Sequence, residues 1–152
     1  MIIAKQKQYE NIAEYVLYMW QLEDMIRACN FNVDVLMQGF SIDPLEASKV
    51  QQWYQSMADA MISEGIQRKG HLMQLKNIVQ DLSTLNIKLL QNQDEKKYKE
   101  LFAAAMPYIT EIIDRSNDCV KNEIDACLTG LYGMMMLRIQ KKEVSEDTKQ
   151  AV

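Results

Sequence analysis

Apolar positions recur at spacings of three and four along nearly the whole chain, and that period predicts one helix after another. The first runs from about Lys7 to Cys29. Tyr9, Ile12, Val16, Met19 and Ile26 form one stripe, with Glu10, Glu14, Gln21 and Asp24 on the other side. Asn30 and Asn32 interrupt the pattern, and Val33 to Phe40 reads as a short helix that Gly39 helps to end. Ser41-Ile42-Asp43-Pro44-Leu45-Glu46 is the strongest start signal in the chain. Asp43 can accept from free backbone N–H groups, Pro44 fits the first turn, and Glu46 follows the cap by three residues. The helix that follows carries Val50, Trp53, Met57 and Ala60 or Met61 as its stripe. It ends at Glu64-Gly65-Ile66, where Gly takes the left-handed position and an apolar residue follows.

The next helix spans about Gly70 to Leu90 on Leu75, Ile78, Leu82, Leu85 and Leu89. A continuous helix from Pro44 to Leu90 would be about 70 Å long, roughly twice its neighbours, so the pattern predicts a break near residues 65–70. Asn92-Gln93-Asp94 reads as a turn in which Asp94 caps a helix bearing Tyr98, Leu101, Phe102, Ala105, Ile109 and Ile112. Pro107 lies inside that helix and removes the bond to the carbonyl of Ala103, predicting a kink. Ser116-Asn117-Asp118 separates it from the last long helix, about Cys119 to Lys142, with Val120, Ile124, Cys127, Leu128, Leu131 and Met135 in line. Ser145-Glu146-Asp147-Thr148 resembles one more helix start, too near Val152 for a stable helix.

The expected fold is an all-α, antiparallel bundle of about five long helices and one short helix. It forms a single domain over residues 1–152, with 143–152 as the possible stub of a further helix. Composition agrees: 48% hydrophobic and 25% charged residues suit a globular core, while only 5 Gly and 2 Pro leave little material for long loops. A net charge of −4 argues against nucleic acid or an anionic membrane as partner. The basic clusters Lys96-Lys97-Lys99 and Arg138…Lys141-Lys142 read as solvated helix ends or dipole compensation. No apolar run is long enough to span a membrane, and the N-terminus lacks a signal-peptide pattern. Cys29, Cys119 and Cys127 form no C-x-x-C pair, which predicts reduced, buried thiols and a cytoplasmic setting.

Catalytic and metal chemistry finds little support. A dimetal bundle site needs Glu-x-x-His on two helices, and the single histidine, His71, is preceded at that spacing by Arg68. Zinc ligation would have to combine His71 with thiols scattered over separate helices. Glu111-Ile112-Ile113-Asp114 has the Glu-x-x-Asp form of helical nucleotide pyrophosphohydrolases, but the partner acids Glu10…Glu14 and Glu23-Asp24 lack the spacing. A helical ribonuclease motif needs four to six residues between Arg and His, and Arg68 and His71 have only two between them. No nucleophile–base arrangement exists without His71. No cofactor, metal or catalytic residue is assigned.

Three features stand out. Glu23 falls on the apolar stripe of the first helix, where an unpaired carboxylate costs several kcal/mol; Arg27, one turn on, is the expected partner. Glu64, Arg68 and His71 follow at four- and three-residue spacings, with Lys69 beside them, at the expected start of a helix where N–H groups favour anions. These four residues are the candidate site for phosphate or carboxylate. Met134-Met135-Met136 cannot share one helical face, so an apolar patch is expected there, covered by a second subunit or a further helix. Gly130 and Gly133 weaken the same helix by about 1 kcal/mol each, which close approach of another backbone would explain.

Asn11-Ile12-Ala13-Glu14-Tyr15…Met19-Trp20-Gln21…Asp24…Ile26-Arg27-Ala28, Glu64-Gly65…Lys69-Gly70-His71-Leu72 and Leu131-Tyr132-Gly133…Met136-Leu137-Arg138…Gln140-Lys141-Lys142 together resemble an uncharacterised bacterial family of short helical proteins, a domain of unknown function. The resemblance covers nearly the whole chain. It implies a bacterial cytosolic protein, supplies no activity, and implies relatives that continue through another helix. The function expected from the sequence is a non-enzymatic helical module acting by self-association or by binding a protein partner. The alternative is an anion-binding protein or enzyme with its site at Arg68, Lys69 and His71.

Overall fold

The computed structural model describes residues 2–40, 42–116 and 119–140. Among the described residues the chain is all-α: α1 (Ile2–Glu10), α2 (Ile12–Ala28), α3 (Val33–Gln38), α4 (Pro44–Ser63), α5 (Met73–Gln91), α6 (Lys96–Arg115) and α7 (Glu123–Ile139), with no strand. Five helices are long, as expected, but two are short rather than one. The first expected helix divides at Asn11, whose Oδ1 accepts the N–H groups of Ala13 at 3.1 Å and Glu14 at 3.2 Å. An asparagine offering a cap in mid-pattern competes with the helix it interrupts. The division leaves Tyr9 on α1 94% exposed, off the stripe to which it was assigned.

The chain divides into two compact units, Met1–Asn77 and Ile78–Val152, with the division inside α5. In the first unit α2 packs against α1, α3 and α4. Its core includes Val16, Met19 and Ile26 of α2, Met57 and Met61 of α4, and Leu72 and Leu75 at the start of α5. The Asp43 cap forms as expected, accepting the Leu45 N–H at 2.9 Å with Pro44 in the first turn. Helix α4 ends where the sequence predicts. Ile66 N–H reaches the Met61 carbonyl at 3.0 Å and Gly65 N–H that of Ile62 at 3.0 Å, with Gly65 at φ +70°. This paired arrangement satisfies the last carbonyls of the helix and needs a left-handed residue at that point.

In the second unit α6 packs on α7. Three boundaries or faces differ from expectation. Glu95, not Asp94, stands before α6, because the Asn92 side chain takes the Asp94 N–H into a turn at 3.1 Å. Helix α7 begins at Glu123, since Asn122 caps it through the Asp125 N–H at 2.9 Å; Cys119 therefore lies outside the helix that holds Cys127. On α5 the buried positions are Leu75, Val79, Ser83 and Asn86, so the stripe turns away from Leu85, which is 48% exposed. Tyr98 donates its hydroxyl to Asn86 at 2.8 Å, which lets the polar Asn86 be buried. Helix α6 continues through Pro107, which is exposed, as is Ala103, to whose carbonyl the proline has no N–H to offer.

A buried glutamate and the loop between α4 and α5 as candidate functional site

The candidate site is the segment that joins α4 to α5. Residues 65–72 are not helical, so Glu64, Arg68 and His71 do not share a helix face, and His71 precedes the first turn of α5. Two positive-φ glycines shape the segment, Gly65 and Gly70, the latter at φ +97°. Ile66 and Leu72 are buried at its two ends, and Gln67, Arg68, Lys69 and Gly70 are exposed between them. The loop is a surface bridge plugged into the core at both ends.

Helix α2 holds this bridge from beneath. Glu23 is fully buried, at 0% exposure. Its Oε1 accepts the Leu72 N–H at 2.8 Å and its Oε2 lies 2.6 Å from His71 Nδ1. The expected rim pair with Arg27 does not form in that way. Arg27 instead meets Asp24 at 2.8 Å and donates from Nη2 and Nε to the Ile66 carbonyl at 3.2 and 3.3 Å, and from Nη2 to the Gly70 carbonyl. The physical reason lies in desolvation. A carboxylate with no water must be satisfied by groups buried with it, and the free N–H before a helix is such a group. Arg27, its side chain 14% exposed, is satisfied by Asp24 and by the loop carbonyls that face its fork.

His71 is fixed from two sides. Its ring stacks on Trp20 with centroids 4.2 Å apart and planes 15° from parallel, while Nδ1 is engaged by Glu23. Its side chain remains 33% exposed. Glu64 turns back over the loop, and its Oε2 accepts the Met73 N–H at 2.7 Å. The first N–H groups of α5, expected to be open to an external anion, are thus accepted by the protein's own carboxylates at Leu72 and Met73. Of the residues singled out in the sequence, Glu23 and His71 meet directly, and Glu64 joins them at the start of α5. Arg68 and Lys69 stand exposed on the loop's outer surface. Trp20 was not anticipated here; its aromatic ring beside a stripe position was the one available signal.

The second group of candidates is dispersed. Met134 is buried, whereas Met135 and Met136 are half-buried, so the three do point in different directions. Leu131 and Ile139 on the same helix are 38% and 53% exposed. A Cβ on Gly130 would approach Ile112 Cδ1 of α6 to 2.9 Å, so this glycine serves a close contact with a side chain; one on Gly133 would meet nothing within 4 Å. The segment from Ser145 and the lysines Lys141 and Lys142 lie outside the described residues. The three cysteines are unbridged, as expected, but none is buried: Cys119 is exposed and Cys29 and Cys127 are half-buried. Burial pushes the half-buried Cys127 thiol upward, its own backbone opposes this, and Glu123 adds a smaller upward push. Among the described residues no group of three potential ligands could hold a metal ion, and no helix is long and apolar enough to cross a membrane.

No curated protein and no solved structure matches the chain. A family model described as a domain of unknown function, DUF4924, matches residues 1–152, and the chain belongs to that family.

Proposed function

We propose that this protein is a non-enzymatic helical module that acts by presenting α7 to another protein chain, a second copy of itself or a foreign partner. The observation that carries the reading is the composition of α7 set against its exposure. From Ala126 through Leu137 no residue carries a charge, and Thr129 and the Tyr132 hydroxyl are the polar side chains in that stretch. A helix apolar round its circumference belongs in an interior. Here Leu131 and Ile139 remain substantially exposed and Met135 and Met136 are only half-buried. Methionine, flexible and polarisable, adapts to a partner surface without a preformed shape. Three unbridged thiols, one of them exposed, favour a reducing compartment such as the cytoplasm.

Light scattering on the full chain tests the first arm, with a mass of two or more chains expected and reversal to one chain in the double variant Leu131→Glu, Ile139→Glu. A monomeric wild type directs the test to a foreign partner. That partner has to co-purify with wild type and be lost with the same double variant. A monomer with no partner lost on substitution overturns the proposal.

A further inference from the structure

We propose that the outer surface of the α4–α5 loop is a binding site for a tetrahedral oxyanion, a phosphoryl or sulfuryl group, recognised by Arg68, Lys69 and the free edge of His71. The proposal stands apart from the oligomer reading, since it concerns the first unit and α7 lies in the second.

The protein is acidic overall, yet residues 65–72 hold Arg68, Lys69 and His71 and no acid. The carboxylates around this loop each have a partner in the protein, although Glu64 and Asp24 are themselves exposed. Glu23 is buried with both oxygens engaged, Glu64 accepts at Met73, and Asp24 is paired with Arg27. The charged side chains that residues 65–72 themselves show to solvent are cationic. Its backbone is also held in one conformation: Arg27 binds the carbonyls of Ile66 and Gly70, and Ile66 and Leu72 are seated in the core. A connecting loop has no need of a buried carboxylate and an arginine fork to join two helices, and loops left without such ties are the mobile parts of a fold. Fixing the loop in advance removes the ordering cost a ligand would otherwise meet.

His71 supplies direction. With Nδ1 held by Glu23 and one face on Trp20, the ring's other nitrogen, Nε2, is the polar atom left for an outside group. Ligand and carboxylate would then bind opposite edges of one imidazole. A guanidinium, an ammonium and an imidazole on three separate side chains suit an anion with oxygens in several directions better than a planar carboxylate. The start of α5 takes no part, because Glu23 and Glu64 already occupy it.

The test is an amide-resolved NMR titration of the full chain with inorganic sulfate and with inorganic phosphate, into the tens of millimolar. Sodium chloride at matched ionic strength and sodium acetate are the comparison arms. Saturable shifts are expected at Arg68, Gly70, His71 and Leu72 with sulfate and phosphate. Acetate should bind about tenfold more weakly and chloride should give no saturation. The cluster Lys96-Lys97-Lys99 at the start of α6 is an internal control, basic but not tied by a buried carboxylate. The variant Arg68→Ser, Lys69→Ser changes two exposed side chains and should weaken sulfate binding at least about tenfold while leaving the core resonances in place. Equal shifts at Lys96–Lys99, equal binding of acetate, unchanged binding in the double variant, or no saturable shift with either tetrahedral anion would each overturn the assignment.

Discussion

Replacing Glu23 by alanine should be among the most damaging substitutions in the first unit, and the structure says by how much. The change strands the N–H of Leu72, a residue only 2% exposed, which costs about 1–3 kcal/mol for an unsatisfied buried donor. It also removes the partner of His71 Nδ1 and leaves a gap at a fully buried position. Breaking a buried ionic or charge-assisted contact by deleting one partner costs about 3–5 kcal/mol in total. That is a large share of the roughly 5–15 kcal/mol by which a domain is stable. Glutamine at the same position should cost only about 1 kcal/mol. Its carbonyl can still accept from Leu72, and its amide can donate to a His71 ring whose proton has moved to Nε2. Asp24→Ala, one position on, breaks an exposed pair and should cost under about 1 kcal/mol. Urea unfolding with far-ultraviolet circular dichroism ranks the three variants, and hydrogen exchange at the Leu72 amide reports the site itself. Opening there should be faster in Glu23→Ala by a factor on the order of a hundred. A Glu23→Ala protein as stable as Asp24→Ala, or with the Leu72 amide still protected, would refute the reasoning.

The remaining expectations follow from single positions. Gly65→Ala should destabilise by about 1 kcal/mol in thermal melts, purely through its φ of +70°, since a Cβ there meets nothing within 4 Å. Gly133→Ala should stabilise α7 by about 0.5–1 kcal/mol, whereas Gly130→Ala should gain less or lose, because Ile112 Cδ1 must shift. A disulfide reagent should label Cys119 first and Cys127 slowly, the latter being half-buried with its thiol pushed upward. Tyr54 is pushed up to about 12, by burial first and by Tyr18 second. The unfolded chain ionises near the ordinary value of 10.0 while the folded form resists, so this contribution is complete below pH 10 and is lost as pH rises toward 12. Unfolding midpoints measured across that window should fall, and fall less in Tyr54→Phe.

Helix existence was legible because it rests on periodicity and on local capping chemistry. Asp43-Pro44 and Glu64-Gly65-Ile66 work through atoms within a few residues of one another, and both occur as read. Boundaries failed where two local signals competed. Asn11 caps a helix inside a pattern that would otherwise run through it, Asn92 draws Asp94, the expected cap of α6, into a turn, and Asn122 starts α7 later than the apolar spacing suggests. Each miss involves an asparagine side chain bonding the backbone two or three residues on, which hydrophobic spacing does not register. The buried face of α5 failed for another reason. Ser83 and Asn86 are buried polar residues, and burial of Asn86 depends on Tyr98, a residue of the next helix.

The candidate site shows where local reasoning reaches its end. Glu23 was conspicuous as a carboxylate among Val16, Met19 and Ile26, and it is buried. Its partner was misread because helical geometry offers Arg27 four residues on, while the actual partners, His71 and Leu72, lie 48 and 49 residues away in sequence. Proximity along a helix ranks partners by reach. Burial ranks them by what must be desolvated in any case. The N–H groups before the first turn of a helix have no partner within that helix, so a helix start packed into a core needs an acceptor, just as a carboxylate on an apolar stripe needs a donor. Joining these two satisfies both at once. Arg27, whose side chain is only 14% exposed, pairs with Asp24 and holds the loop carbonyls instead. An acidic residue on an otherwise apolar helix face therefore points to a helix start packed against it; here the carboxylate takes the N–H of Leu72, just ahead of α5, and orients the side chain of the residue before it, His71.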